Sequence, residues 1–128
     1  MRRCLVKKMP TVVYVVVADP RDRAWIESAL ARSVELVFVD GGSDHLARMP
    51  RGSGHCLILS CDEDETATLR LVRDLRNSGD TLPVIVLGPH TAFRTAVAIA
   101  RLDATDFLER PVGVRQLRAA VRRAGALG

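Results

Sequence analysis

The feature that most restricts the fold is a series of apolar segments that are continuous instead of alternating. Thr11–Ala18 is the longest, and Cys56–Ser60 and Leu82–Leu87 repeat the pattern. Strands buried on both faces, as in parallel sheets, have this kind of sequence. Val34–Asp40 alternates at its start, which predicts an edge strand, and Ala104–Leu108 predicts a short fifth strand.

Segments with helical periodicity separate these strands. Asp19 and Pro20 after the first apolar run are typical of an N-cap and a first helical residue, and that helix should reach about Arg32. The acids of Asp62–Glu65 suit the start of another helix, where the helix dipole favours negative charge. That helix should reach about Asn77, and the remaining helices are predicted over Asp44–Met49, around Phe93–Ala100 and over Val112–Ala126.

Five strands that alternate with five helices imply a parallel sheet covered on both faces, with right-handed crossovers. The predicted fold class is α/β: a flavodoxin-like (βα)5 doubly wound sheet with strand order 2-1-3-4-5. In such folds the functional groups lie beyond the carboxyl ends of the strands. Those ends are Ala18-Asp19, Ser60-Cys61 and Gly88-Pro89.

The positive charge of the chain is concentrated at its start. The net charge is +4, and residues 1–10 contain four basic residues and no acid, which leaves 19 − 4 = 15 basic against 15 acidic residues. We therefore divide the chain into a basic tail, 1–10, and a neutral domain, 11–128, and expect no nucleic-acid binding by the domain. No apolar stretch approaches the roughly 18 to 20 residues of a membrane span, so no membrane partner is expected.

Cysteine usage indicates a reducing compartment, and we expect a cytoplasmic protein. Cys4, Cys56 and Cys61 are an odd number and lack zinc-site spacing. Cys61 could be a redox-sensing thiol, although a small buried hydrophobe is the commoner use of cysteine. We expect no cofactor, because no glycine-rich phosphate loop follows the first strand.

Two motifs carry a family resemblance. Leu82–His90 and Ala104–Pro111 resemble the receiver domain of two-component response regulators, especially those that precede a helix-turn-helix output domain, and the likeness covers 11–124. The resemblance implies two acids after strand 1 that hold Mg²⁺ and an aspartate at the end of strand 3 that accepts a phosphoryl group. It also implies a hydroxyl residue after strand 4 and a lysine before the proline, which bind the phosphoryl oxygens.

The family's reactive groups are largely missing at the matching positions. Ala18 and Asp19 stand where the family has its acid pair, and Ser60 stands at the acceptor position. Gly88 replaces the hydroxyl residue, and Arg110 keeps the charge of the lysine without its compact ammonium. A serine hydroxyl is a poor nucleophile without an activating base, so we predict a pseudo-receiver with no catalytic residue.

Other residues of the pocket support the same interpretation. Phe107 matches the aromatic residue whose rotation reports activation in the family. We predict no metal site, with Asp19 and Asp62 as weak candidates, and His90 is expected to be a loop or helix-cap residue instead of a base.

The predicted function is a non-enzymatic signalling domain, independent of phosphorylation, that acts through a protein partner or a second copy. The resemblance places the partner face on the fourth helix, fifth strand and fifth helix. Its candidate residues are Ala96, Ala100, Arg101, Asp103, Phe107 and Arg118. The 128 residues contain no output domain, so a stand-alone and an excised domain are both open. The alternatives are a small flavodoxin-like cofactor binder and a variant receiver that is still phosphorylated, on Ser60 or on an acid of Asp62–Glu65.

Overall fold

The computed structural model describes residues 12–39, 55–61, 65–89, 93–101 and 106–127. These residues form five strands and four helices, which we number in chain order as β1 Val12–Val16, α1 Pro20–Leu30, β2 Glu35–Phe38, β3 Cys56–Ser60, α2 Glu65–Asn77, β4 Val84–Gly88, α3 Phe93–Arg101, β5 Asp106–Glu109 and α4 Val114–Leu127. The basic tail and the predicted helix over Asp44–Met49 lie outside the described residues. Our α3 and α4 are therefore the fourth and fifth helices of the prediction.

The five strands form one parallel sheet in the order β2-β1-β3-β4-β5, which confirms the predicted fold class. β2 lies at an edge, as its alternating start indicated, and none of its four residues is fully buried. β4 begins at Val84 and not at Leu82, since Pro83 has no N–H to contribute to the sheet. β5 is described from Asp106, and the predicted start of that strand at Ala104 lies outside the described residues.

Each face of the sheet is covered by helices, and each carries its own apolar cluster. α1 and α4 cover the first face, which we call the α1/α4 face, where Leu30 and Leu117 pack against side chains such as Val15 and Ile85. α2 covers the second face, which we call the α2 face, where Val72 is buried. No helix among the described residues is long and apolar enough to cross a membrane.

The residues at the start of α1 and after the end of α2 form the capping interactions that their side chains and backbone favour. Asp19 is the N-cap of α1: its carboxylate accepts a hydrogen bond from the backbone N–H of Arg21 at 2.8 Å, and Pro20 is the first helical residue. α2 ends at Asn77, and Gly79 two residues later has a φ of +84°, which suits a residue without a side chain. The backbone N–H of Asp80 then donates to the carbonyl of Leu75 at 3.0 Å and closes the helix end.

Candidate functional site

The carboxyl ends of four strands meet at one edge of the sheet. Ala18-Asp19 follows β1, Cys61 follows β3, Gly88 ends β4 and Arg110 follows β5. Backbone hydrogen bonds extend the sheet to these residues: the Cys61 N–H donates to the carbonyl of Leu87 at 2.9 Å, and the Arg110 N–H donates to that of Gly88 at 2.8 Å. The structure therefore brings the predicted pocket residues to a single edge.

Gly88 lies where two side chains already fill the space. A Cβ added at this residue would collide with the Sγ atom of Cys61 and would lie 2.8 Å from the ring carbon Cζ of Phe107. In the family pattern this position carries a hydroxyl side chain that binds the phosphoryl group. Here the thiol and the ring occupy the space into which such a side chain would extend.

The structure turns Cys61, and not Ser60, towards Gly88. Ser60 is paired with Leu87, whose side chain belongs to the cluster of the α1/α4 face. Because side chains alternate along a strand, the residue after Ser60 faces the opposite side, and Cys61 indeed packs on the α2 face with Phe107 beside it. The backbone carbonyl of Ser60 accepts a hydrogen bond from Thr68 Oγ1 of α2 at 3.3 Å.

Both described cysteines are buried thiols that take part in no disulfide. Cys56 lies at the start of β3 in the cluster of the α1/α4 face, and burial raises its pKa to about 12. A thiol with that pKa stays protonated at neutral pH, so Cys56 is not a nucleophile. Cys61 has no exposed surface, so its sulfur lies inside the candidate site and not at its mouth.

The described residues at this edge offer few of the carboxylate oxygens that Mg²⁺ prefers. The carboxylate of Asp19 is held by the N-cap hydrogen bond and lies 3.7 Å from Nε of Arg21. Ala18, Cys61 and Gly88 offer no carboxylate, whereas Mg²⁺ prefers hard oxygen ligands. No group of three or more metal-ligating side chains occurs among the described residues. The predicted residues Asp62 and His90 lie outside them, as does Asp103 of the partner face.

Arg110 forms a bidentate ion pair with Asp22, a residue of α1 that the sequence did not single out. The two guanidinium nitrogens lie 3.1 Å and 2.8 Å from the two carboxylate oxygens. The side chains are only 27% and 19% exposed, so this pair is shielded from solvent more than an ordinary surface pair. Arg110 is joined to Pro111 by a cis peptide bond.

A shallow cleft of about 490 Å³ opens beside this ion pair. Its walls are Asp22, Trp25, Pro89, Arg110, Pro111 and Val112. Trp25, on α1, is the chain's only tryptophan and is partly buried against the cluster of the α1/α4 face. Nothing in the sequence linked Asp22 or Trp25 to the site, because 88 positions separate Asp22 from Arg110.

The predicted partner face is brought together only in part. Ala100 and Arg101 are exposed on α3, and Ala96 is half-buried. Val97, which follows Ala96 on the same helix, is 38% exposed. Arg118 lies elsewhere: its Nε donates to the carbonyl of Ala29 of α1 at 2.9 Å.

The arginine of α4 that does contact β5 is Arg123. It binds the carboxylate of Asp106 at 2.7 Å. Arg118 and Arg123 are five positions apart on one helix and therefore face different directions. The helical spacing alone thus indicates that the two arginines do not share one surface.

No family model matches the chain, but single known proteins are similar to it. The response regulator protein TodT of Pseudomonas putida is 30% identical over 118 residues, which are 89% of this chain and 51% of that protein. The transcriptional regulatory protein TctD of Salmonella typhimurium is 31% identical over 108 residues, which are 81% of this chain and 47% of that protein. The chain thus spans about half the length of the curated relatives it matches.

Solved structures show the same fold. The response regulator receiver protein from Pseudoalteromonas atlantica superposes with a TM-score of 0.75 over 88% of this chain and 95% of its own, at 24% identity. The chain is thus similar in sequence to about half of each of these two regulators, and it shares the fold of a solved receiver protein.

Proposed function

We propose that this domain is a receiver-like regulatory module that works without phosphorylation of an aspartate and acts through protein contacts in the cytoplasm. One observation carries the proposal: the side chain at the end of β3 that faces Gly88 and Phe107 is the thiol of Cys61. In the receiver pattern the acceptor and the residue after strand 4 serve one phosphoryl group, so they must face each other. We therefore assign the acceptor position to Cys61 instead of Ser60.

Neither residue provides the carboxylate that an acyl phosphate requires. Two further features support the proposal. The carboxylate of Asp19 is used in capping α1, and the guanidinium of Arg110 is paired with Asp22. Among the described residues, the carboxylate and the guanidinium at the matching positions are thus both engaged in contacts within the chain.

The regulatory contact is proposed for the surface formed by α3 and the outer side of β5. Ala96, Ala100 and Arg101 supply small side chains and one charge there, and Val97 adds exposed apolar area. Small residues permit close approach of a partner helix or of a second copy of this domain. Arg118 is not part of this surface, because it is bound to α1.

The test is exposure of the unmodified domain to Mg²⁺ with beryllofluoride and, separately, with acetyl phosphate. We expect no mass gain of one phosphate and no saturable amide shift at Cys61, Gly88 or Phe107. Ser60→Ala and Cys61→Ala serve as matched variants that would locate any adduct. Stoichiometric phosphorylation of the unmodified domain would contradict the proposal, if either variant abolishes it. Such a result would favour a variant receiver.

A further inference from the structure

Arg110 forms its bidentate ion pair with a carboxylate of α1, that of Asp22. Arg110 occupies the position of the lysine that binds a phosphoryl oxygen in the receiver pattern, directly before Pro111. Both of its terminal nitrogens are directed at one carboxylate, with the fork geometry that arginine also uses for phosphate. The oxyanion that Arg110 holds therefore comes from α1 of the same chain.

The pair also joins α1 to the turn between β5 and α4. Asp22 is in the first turn of α1. Arg110 begins the turn between β5 and α4, and its N–H is bonded to the carbonyl of Gly88 at 2.8 Å. A half-buried bidentate pair at this point holds the β5–α4 turn against α1, because loss of either charge would leave the other poorly solvated.

We propose that Asp22 is the built-in counter-anion of Arg110 and takes the place of the phosphoryl group, so that the β5–α4 turn is held in one position without a phosphorylation signal. This inference rests on the proposed phosphorylation-independent function and names the residue that makes it possible. Asp22 is a positioning residue in this role. It sets the conformation of the turn through Arg110.

The first test is a double-mutant cycle of Asp22→Asn, Arg110→Gln and the two combined. We expect each single variant to speed hydrogen exchange of the Arg110 N–H about tenfold, and the double variant to be no faster than the singles. Emission of Trp25, which lines the cleft beside the pair, should shift in all three variants. Arg123→Gln is the matched control: it breaks the Asp106–Arg123 pair, which is of similar length, and should leave both signals unchanged.

The second test is rescue by an added anion, which a merely structural contact would not show. In Asp22→Ala, inorganic phosphate should restore slow exchange at Arg110 in a saturable manner, and it should have no such effect in Arg110→Gln. Unchanged exchange and emission in the single variants, additive effects in the cycle, or no phosphate rescue would each overturn the inference. Phosphorylation of the unmodified domain would instead overturn the proposed function, so the two failures are distinguishable.

Discussion

Gly88 has no room for a side chain, and its neighbours show why. The sulfur of Cys61 and the ring of Phe107 fill the volume that the family's hydroxyl side chain would enter. A glycine at this point is compatible with a bulky thiol and an inward aromatic ring, whereas a threonine or serine is not. The three residues therefore depend on one another sterically.

Gly88→Ala should lower the free energy of unfolding by about 1 to 3 kcal/mol, because the new methyl group would force Cys61 and Phe107 apart. Urea or guanidinium unfolding measures this difference. Gly113→Ala is the matched control, since a Cβ there would meet only Oε1 of Gln116 at 3.7 Å. Equal losses in the two variants would show that the crowding at Gly88 is not the cause.

At the scale of elements, α1 supplies more of the site than its sequence suggested. The carboxylate of Asp19 caps its N-terminus, and Asp22 in its first turn binds Arg110. In its last turn the carbonyl of Ala29 accepts a hydrogen bond from Arg118. These bonds connect both ends of one helix to the β5–α4 turn and to α4. The helix thus acts as the common support of the α1/α4 face.

Asp19→Ala should destabilise the domain by about 1 kcal/mol through loss of the N-cap bond, whereas Asp19→Ser should keep most of the stability. Thermal or denaturant unfolding with and without Mg²⁺ measures both effects. Addition of Mg²⁺ should not stabilise either variant or the unmodified domain. A stabilisation by Mg²⁺ that is lost in Asp19→Ser would mean that the carboxylate is a metal ligand after all.

At the scale of the whole molecule, the site exists only because the sheet brings four strand ends together. The residues that the sheet brings to this edge include Asp19, Cys61, Gly88 and Arg110, so we expect that a change at one of these positions would not be enough for phosphotransfer. In the receiver pattern the metal ligands, the nucleophile and the groups that bind the phosphoryl oxygens follow different strands.

Cys61→Asp alone should therefore remain unphosphorylated by acetyl phosphate in the presence of Mg²⁺, as measured by intact mass. The new carboxylate would be buried beside Phe107, where desolvation disfavours its charged form. Ser60→Asp, at the position that the sequence suggested, should behave in the same way. Full phosphorylation of either variant would show that the missing acid and hydroxyl residue are dispensable.

Much of the architecture was predictable because its signals are local. Continuous apolar runs are enough to identify doubly covered strands, and Asp19-Pro20 identifies the start of α1 from a two-residue motif. Alternation of strands and helices together with right-handed crossovers predicts a parallel sheet covered on both faces. The set of residues at the sheet edge also follows, since it depends only on where each strand ends.

What only the tertiary structure decided is which way side chains point and which distant groups meet. A sequence places Ser60 and Cys61 side by side, but the register of β3 against β4 determines that Cys61 faces Gly88. Likewise, the pairing of Asp22 with Arg110 spans 88 positions and depends on how α1 and the β5–α4 turn pack on the same sheet. Such contacts arise from the summed geometry of several elements, and no local pattern encodes them.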